Sequence, residues 1–214
     1  MNTNQKDVGK DFYLQWVLAN TVGFCVGSIV GFIMPIIVHI SHPVAFGILF
    51  AIVFGVVGGL AQWLVLCRQI PEVGLWAPAS ALGFMIAAGG VAIVVSMDQQ
   101  VASNFNIFFL FAVVYVVTGG FLQWLILRKQ GVSLGWWLAV NFLGSLLGSA
   151  LNSPASAALQ SGPGHPGNIF FMILFGLGAG FGLGLGLVTG GALNWLLQHP
   201  KSEPRAEAAT QGTR

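Results

Sequence analysis

The residues of this chain best able to do chemistry in apolar surroundings are five carboxamides and a hydroxyl: Asn20, Gln62, Ser80, Gln123, Asn141 and Asn194. Such groups donate and accept hydrogen bonds but do not ionise near neutral pH. They can recognise a neutral partner or hold helices together; they cannot shuttle protons. Their setting recurs along the chain. Trp16-Val-Leu-Ala-Asn20-Thr-Val-Gly23 returns as Trp76-Ala-Pro-Ala-Ser80-Ala-Leu-Gly83, and again as Trp137-Leu-Ala-Val-Asn141-Phe-Leu-Gly144. Between these come Gly58-Gly59-Leu-Ala-Gln62-Trp63-Leu, Gly119-Gly120-Phe-Leu-Gln123-Trp124-Leu and Gly190-Gly191-Ala-Leu-Asn194-Trp195-Leu. Trp63 to Trp76 and Trp124 to Trp137 are both steps of 13 residues.

Helical periodicity puts Asn20 on the face of Gly23 and Gly27, and Gln62 on that of Gly55 and Gly59, so the amides should face protein. Each lies about one and a half turns inside the same end of its helix. In antiparallel hairpins Asn20 therefore meets Gln62, Ser80 meets Gln123, and Asn141 meets Asn194. Two readings follow. The pairs can be interhelical glue, each bond contributing roughly 0.6 to 2 kcal/mol in lipid. Or they can converge near a threefold axis as a polar pocket open to the cytoplasm, fit for a small neutral solute, a lipid headgroup or a pigment substituent.

Other chemistry finds less support. His39 and His42 bracket Ile-Ser, and helical spacing could set both rings toward a metal, but Pro43 favours extended backbone at His42. His165 sits in a Gly/Pro-rich loop and His199 beyond the last apolar stretch, neither with a visible partner. Asp98 and Glu72 read as solvated surface carboxylates. The alternating glycines from 176 to 186 lack the third glycine and the preceding strand of a phosphate-binding loop. Cys25 and Cys67 are isolated in the sequence and read as packing residues. No paired carboxylates or Ser/His/Asp set appears. The sequence points to no enzyme, no metal and no cofactor.

These groups need elements to carry them. With 56% hydrophobic and 7% charged residues in 214, the composition is that of an integral membrane protein. Six apolar stretches reach span length: about Tyr13–Val38, Val44–Leu66, Leu75–Ser96, Phe105–Leu127, Leu134–Leu151 and Ile169–Leu197. None contains Asp, Glu, Lys or Arg, which argues against a proton-coupled transporter or pump. The fold class expected is all-α: a polytopic bundle of six helices as three hairpins, about 12–68, 72–129 and 133–198. It lies between a polar tail at 1–11 and a disordered one at 199–214. The first stretch is too long for a signal peptide and has no cleavage site behind it, so it should stay in the mature chain.

All eight basic residues, Lys6, Lys10, Arg68, Arg128, Lys129, Lys201, Arg205 and Arg214, fall on one side of that topology. This puts both termini in the cytoplasm. All seven tryptophans fall at the same face, where an indole can keep its N–H among headgroups. Small residues should mediate the packing: Gly23, Gly27 and Gly31; Gly144 and Gly148; and Gly178, Gly182, Gly186 and Gly190, with a second glycine face at 176, 180 and 184. A helix with glycine on two faces should lie between two neighbours, near the bundle centre.

The Gly-Gly-x-x-Gln-Trp-Leu-x-Leu units, each followed by a Trp-headed, glycine-spaced helix, resemble a group of uncharacterised bacterial polytopic membrane proteins over roughly residues 12–198. Gly58–Leu66 with Arg68, and Gly119–Arg128, carry the resemblance; the third copy departs, with Asn194 for Gln and no arginine after Trp195. It implies a fold and the bacterial inner membrane, and no activity. The functional expectation is a non-catalytic accessory or scaffold subunit docking membrane proteins or lipids through glycine-rich faces, alone or as a homo-oligomer, with no nucleic acid. The alternative is a facilitator or binding protein for a small neutral or amphipathic molecule.

Overall fold

A computed structural model describes residues 3–97, 107–160 and 178–199. Among these residues there is no strand, and the fold is all-α. The helices are α1 (Thr3–Ile37), α2 (Pro43–Leu66), α3 (Trp76–Met97), α4 (Ile107–Leu127), α5 (Leu134–Gln160) and α6 (Phe181–Gln198), with a 3₁₀ turn at Arg128–Gln130. Six helical segments are long and apolar enough to cross a membrane.

Local chemistry sets the breaks. Pro43 opens α2, where its fixed φ and missing N–H cost nothing, and His42 before it is extended at φ −75°, ψ 120°. His39 turns left-handed at φ 56° just after α1. Gly131, at φ 77°, ends the 3₁₀ turn in the left-handed conformation glycine tolerates best.

Each helix packs on its neighbour in chain order, and α6 returns to α1, so the six close into a ring. Long apolar side chains point outward, as Leu14, Leu18, Val22, Val26 and Val30 do along one stripe of α1. Smaller residues occupy the seams. Gly23, Gly27 and Gly31 lie against α2, Gly144 and Gly148 against α6, and Gly178, Gly182, Gly186 and Gly190 against α1. A Cβ added at Gly182 would stand 2.5 Å from the Asn20 carbonyl oxygen, so that backbone approach requires glycine.

α1 begins at Thr3, within the expected N-terminal tail. α5 runs to Gln160, and its apolar span is the expected Leu134–Leu151. One expectation needs correction. α6 lies between α5 and α1 as its glycines suggest, but in the ring rather than at the centre, because side chains fill the axis. Residues 161–177, with His165, and Asp98 lie outside the described residues, as does the C-terminal tail from 200 onward.

Candidate functional site

The interior is built in tiers, spaced by helical turns on α1, α3 and α5. The outermost tier is Trp16, Trp76 and Trp137, with 1%, 0% and 1% of their surfaces exposed. Trp76 meets each of the others edge-on, at centroid distances of 6.2 Å. Leu66, Leu127, Val132, Val140 and Leu193 pack around them. The sequence placed all seven indoles among headgroups; these three are core instead, because their positions face the ring axis. The signal was their one-turn spacing from Asn20, Ser80 and Asn141. Trp136 and Trp195 do remain exposed, their rings tilted toward each other at 6.2 Å, with His199 stacked on Trp195 at 5.1 Å.

One turn deeper lies the amide tier. Asn20 Nδ2 donates to the Trp16 carbonyl at 2.9 Å, Gln62 Nε2 donates to Asn20 Oδ1 at 2.7 Å, and Trp76 Nε1 donates to Gln62 Oε1 at 2.7 Å. This chain of bonds stitches α1, α2 and α3 together. Gln123 Nε2 donates to Ser80 Oγ at 3.2 Å and to the Tyr115 hydroxyl at 3.4 Å, joining α4 to α3. Trp16 Nε1 donates to Thr189 Oγ1 at 2.9 Å, which closes the ring from α1 to α6. Sequence reasoning missed Thr189 and Tyr115. Tyr115 precedes Gln123 by the same eight residues that separate Phe54 from Gln62, a signal that was there to read.

The third expected pair does not form. Asn141 Nδ2 donates to the Trp137 carbonyl at 3.0 Å, while Asn194 Oδ1 accepts from Gln198 at 3.3 Å. Asn194 continues the α6 stripe of Gly182, Gly186 and Gly190, which faces α1, so it turns toward Gly9 rather than α5. Six residues expected in one cluster thus divide: Asn20 with Gln62, Ser80 with Gln123, Asn141 within its own helix, and Asn194 near the surface. Among the described residues two buried atoms have no partner, Trp137 Nε1 and Ser145 Oγ.

The deepest tier is aromatic. Phe24 lies 4.8 Å from Phe54, Phe54 lies 4.9 Å from Phe84, and Phe84 stacks on Tyr115 at 4.0 Å. Phe181 reaches in from α6 to touch Phe24, Phe54, Phe84 and Tyr115 at 5.5–6.3 Å. Such pairs add about 0.5–1.5 kcal/mol each beyond area burial. Rings therefore occupy the axis where a channel would run, and the amides sit between two packed layers rather than in an open pocket.

His39 and His42 are exposed, and no set of three metal-ligating side chains occurs among the described residues. Cys67, expected to pack, is exposed at the end of α2. Near it Glu72 and Lys129 form an exposed ion pair, and the hydrogen bond from Lys129, then its charge, holds the Glu72 carboxyl below the usual range.

Fold and site together define a polytopic helical bundle whose buried polar side chains, among the described residues, are all neutral. No protein-family model, curated protein or solved structure matches the chain.

Proposed function

We propose that this protein is a non-catalytic membrane component, an accessory or scaffold subunit that presents its lipid-facing surface to other membrane proteins or lipids. Its place is the bacterial cytoplasmic membrane, with both termini inside on the basic side. Its architecture is three hairpins of one repeated type, sealed by glycine-mediated seams. The observation that carries this reading is the filled axis: Trp16, Trp76 and Trp137 stand over the amides, and five aromatic rings lie beneath them. With Asn20, Gln62, Ser80 and Gln123 spent on one another, on Trp76 and on Tyr115, the amides read as glue. The expectation of docking through the glycine stripes changes with it, since those glycines face neighbouring helices of the same chain. Docking falls to the outer surface, where Gly191 has nothing within 4 Å of an added Cβ and Leu64 and Ile93 stand exposed.

A photo-crosslinking residue at Leu64 or Ile93 in native membranes tests this. The reading expects one discrete protein adduct of reproducible mass from an outward position and none from buried Phe24. Lipid adducts alone, together with selective flux of glycerol or urea in proteoliposomes, would favour the facilitator.

A further inference from the structure

The chain builds one kind of seam twice, 61 residues apart, and the two copies close differently. Between α2 and α3, Gly55 and Gly59 face Ala77, Ser80 and Ala81. A Cβ at Gly55 would stand 2.7 Å from Ala81 Cα and 3.1 Å from the Ser80 carbonyl oxygen; one at Gly59 would stand 2.9 Å from Ala77 Cα. The main chains touch, and Trp76 reaches Gln62. Between α4 and α5, Val116 stands where Gly55 was, Leu138 where Ala77 was, and Phe142 where Ala81 was. A Cβ at Gly120 would meet side chains alone, Leu138 Cδ2 at 2.9 Å and Asn141 Cγ at 3.9 Å. Here the Leu138 side chain, not a main chain, stands against Gly120, and among the described residues Trp137 Nε1 is buried without a partner.

A second departure lies deeper on the same face of α5. Ser145 stands where Phe84 fills the axis, and its hydroxyl is also buried and unpartnered. Asn141, one turn from each, spends its Nδ2 on the Trp137 carbonyl of its own helix. Leaving a buried donor or acceptor unpaired costs about 1–3 kcal/mol, so two such atoms behind this one seam call for an occupant.

We infer that the α4/α5 seam binds one neutral amphipathic molecule of the bilayer, whose ester, ketone or hydroxyl oxygens pair with Trp137 Nε1 and Ser145 Oγ. It is neutral because Gln123, Trp137, Asn141 and Ser145 carry no charge to match an ionic headgroup. It comes from the bilayer because α4 and α5 carry exposed apolar side chains, Val117, Phe121 and Phe142, while Leu127, Val132 and Val140 are buried at the tryptophan end. Trp137 and Ser145 are eight residues apart, about 12 Å along the helix at 1.5 Å per residue. That spacing suits an elongated amphiphile lying along the seam better than a compact solute.

Native mass spectrometry of the full chain in mild detergent with added dioctanoylglycerol tests the inference. Wild type should carry one adduct, unchanged in the exposed control Trp195→Phe. Trp137→Phe and Ser145→Ala should each weaken it about tenfold, the scale of one buried hydrogen bond. Ser145→Ala removes only one oxygen atom and stands as the test if Trp137→Phe does not fold. The triple change Val116→Gly, Leu138→Ala, Phe142→Ala remakes the α2/α3 composition and should abolish the adduct. Wild type with no adduct at saturating probe overturns the proposal, as does equal binding by the triple variant. Fast exchange of the Trp137 indole proton with water, with or without the probe, also overturns it by assigning the site to a buried water.

Discussion

The indole N–H of Trp76 lies 2.7 Å from the amide oxygen of Gln62, across the seam between α2 and α3. That bond satisfies a tryptophan with no exposed surface and fixes the face Gln62 presents to Asn20. It makes one bonded unit of three helices, and its absence at Trp137 sets the two halves of the ring apart.

Trp76 and Gln62 should therefore be energetically coupled. In a double-mutant cycle of Trp76→Phe and Gln62→Leu, read by unfolding in mixed micelles, a coupling of roughly 0.6–1.7 kcal/mol is expected. Strict additivity would mean that the bond contributes nothing to the folded state.

Aromatic packing on the axis should be more costly to disturb than any one amide. Phe84 touches Phe24, Phe54, Phe111, Tyr115 and Phe181. Phe84→Ala should lower stability by about 3–5 kcal/mol. Phe111→Ala, which removes a ring in contact with Phe84 from a half-buried position, should cost less. Equal losses would argue against a packed axis.

Glycine positions should separate by what they touch. A Cβ at Gly184 would collide with the Gly148 main chain, whereas one at Gly191 would meet nothing within 4 Å. Gly184→Ala should destabilise or prevent folding. Gly191→Ala should be neutral or gain up to about 1 kcal/mol from helix propensity. A thermal-shift comparison of the two decides the matter.

Exposed charge should matter little to stability but be visible in titration. Lys129 holds Glu72 in its ionised form, so its folded pKa is depressed. The contribution is then present above the unfolded value of about 4.3 and lost as pH falls through the lower folded value. An NMR titration of Glu72 should give a midpoint below the ordinary one, restored by Lys129→Ala or by high salt, with Tm nearly unchanged. A midpoint indifferent to Lys129→Ala would remove the ion pair from the description.

Much of this was legible in the sequence, for reasons that also explain what was not. The helices followed from apolar run length, and the meetings of Asn20 with Gln62 and of Ser80 with Gln123 followed from equal depth in antiparallel helices. Depth alone does not give rotation about a helix axis. Asn194 had the right depth, but the stripe it shares with Gly186 and Gly190 turns toward α1. The same limit hid the burial of Trp16, Trp76 and Trp137: residue type suggested a headgroup belt, and position on the inward face decided otherwise. Aromatic filling of the axis depends on which of seventeen phenylalanines point inward, and periodicity leaves that open in helices apolar all round.

The most direct test of a bundle closed by its own amides is the unfolding of Gln62→Leu, measured beside its solute permeability in proteoliposomes. Leucine would strand Asn20 Oδ1 and Trp76 Nε1, so stability should fall by about 1–3 kcal/mol, with no change in flux from the protein-free baseline. Full stability with the loss of a measurable flux would contradict the closed bundle and turn the amides into a solute site.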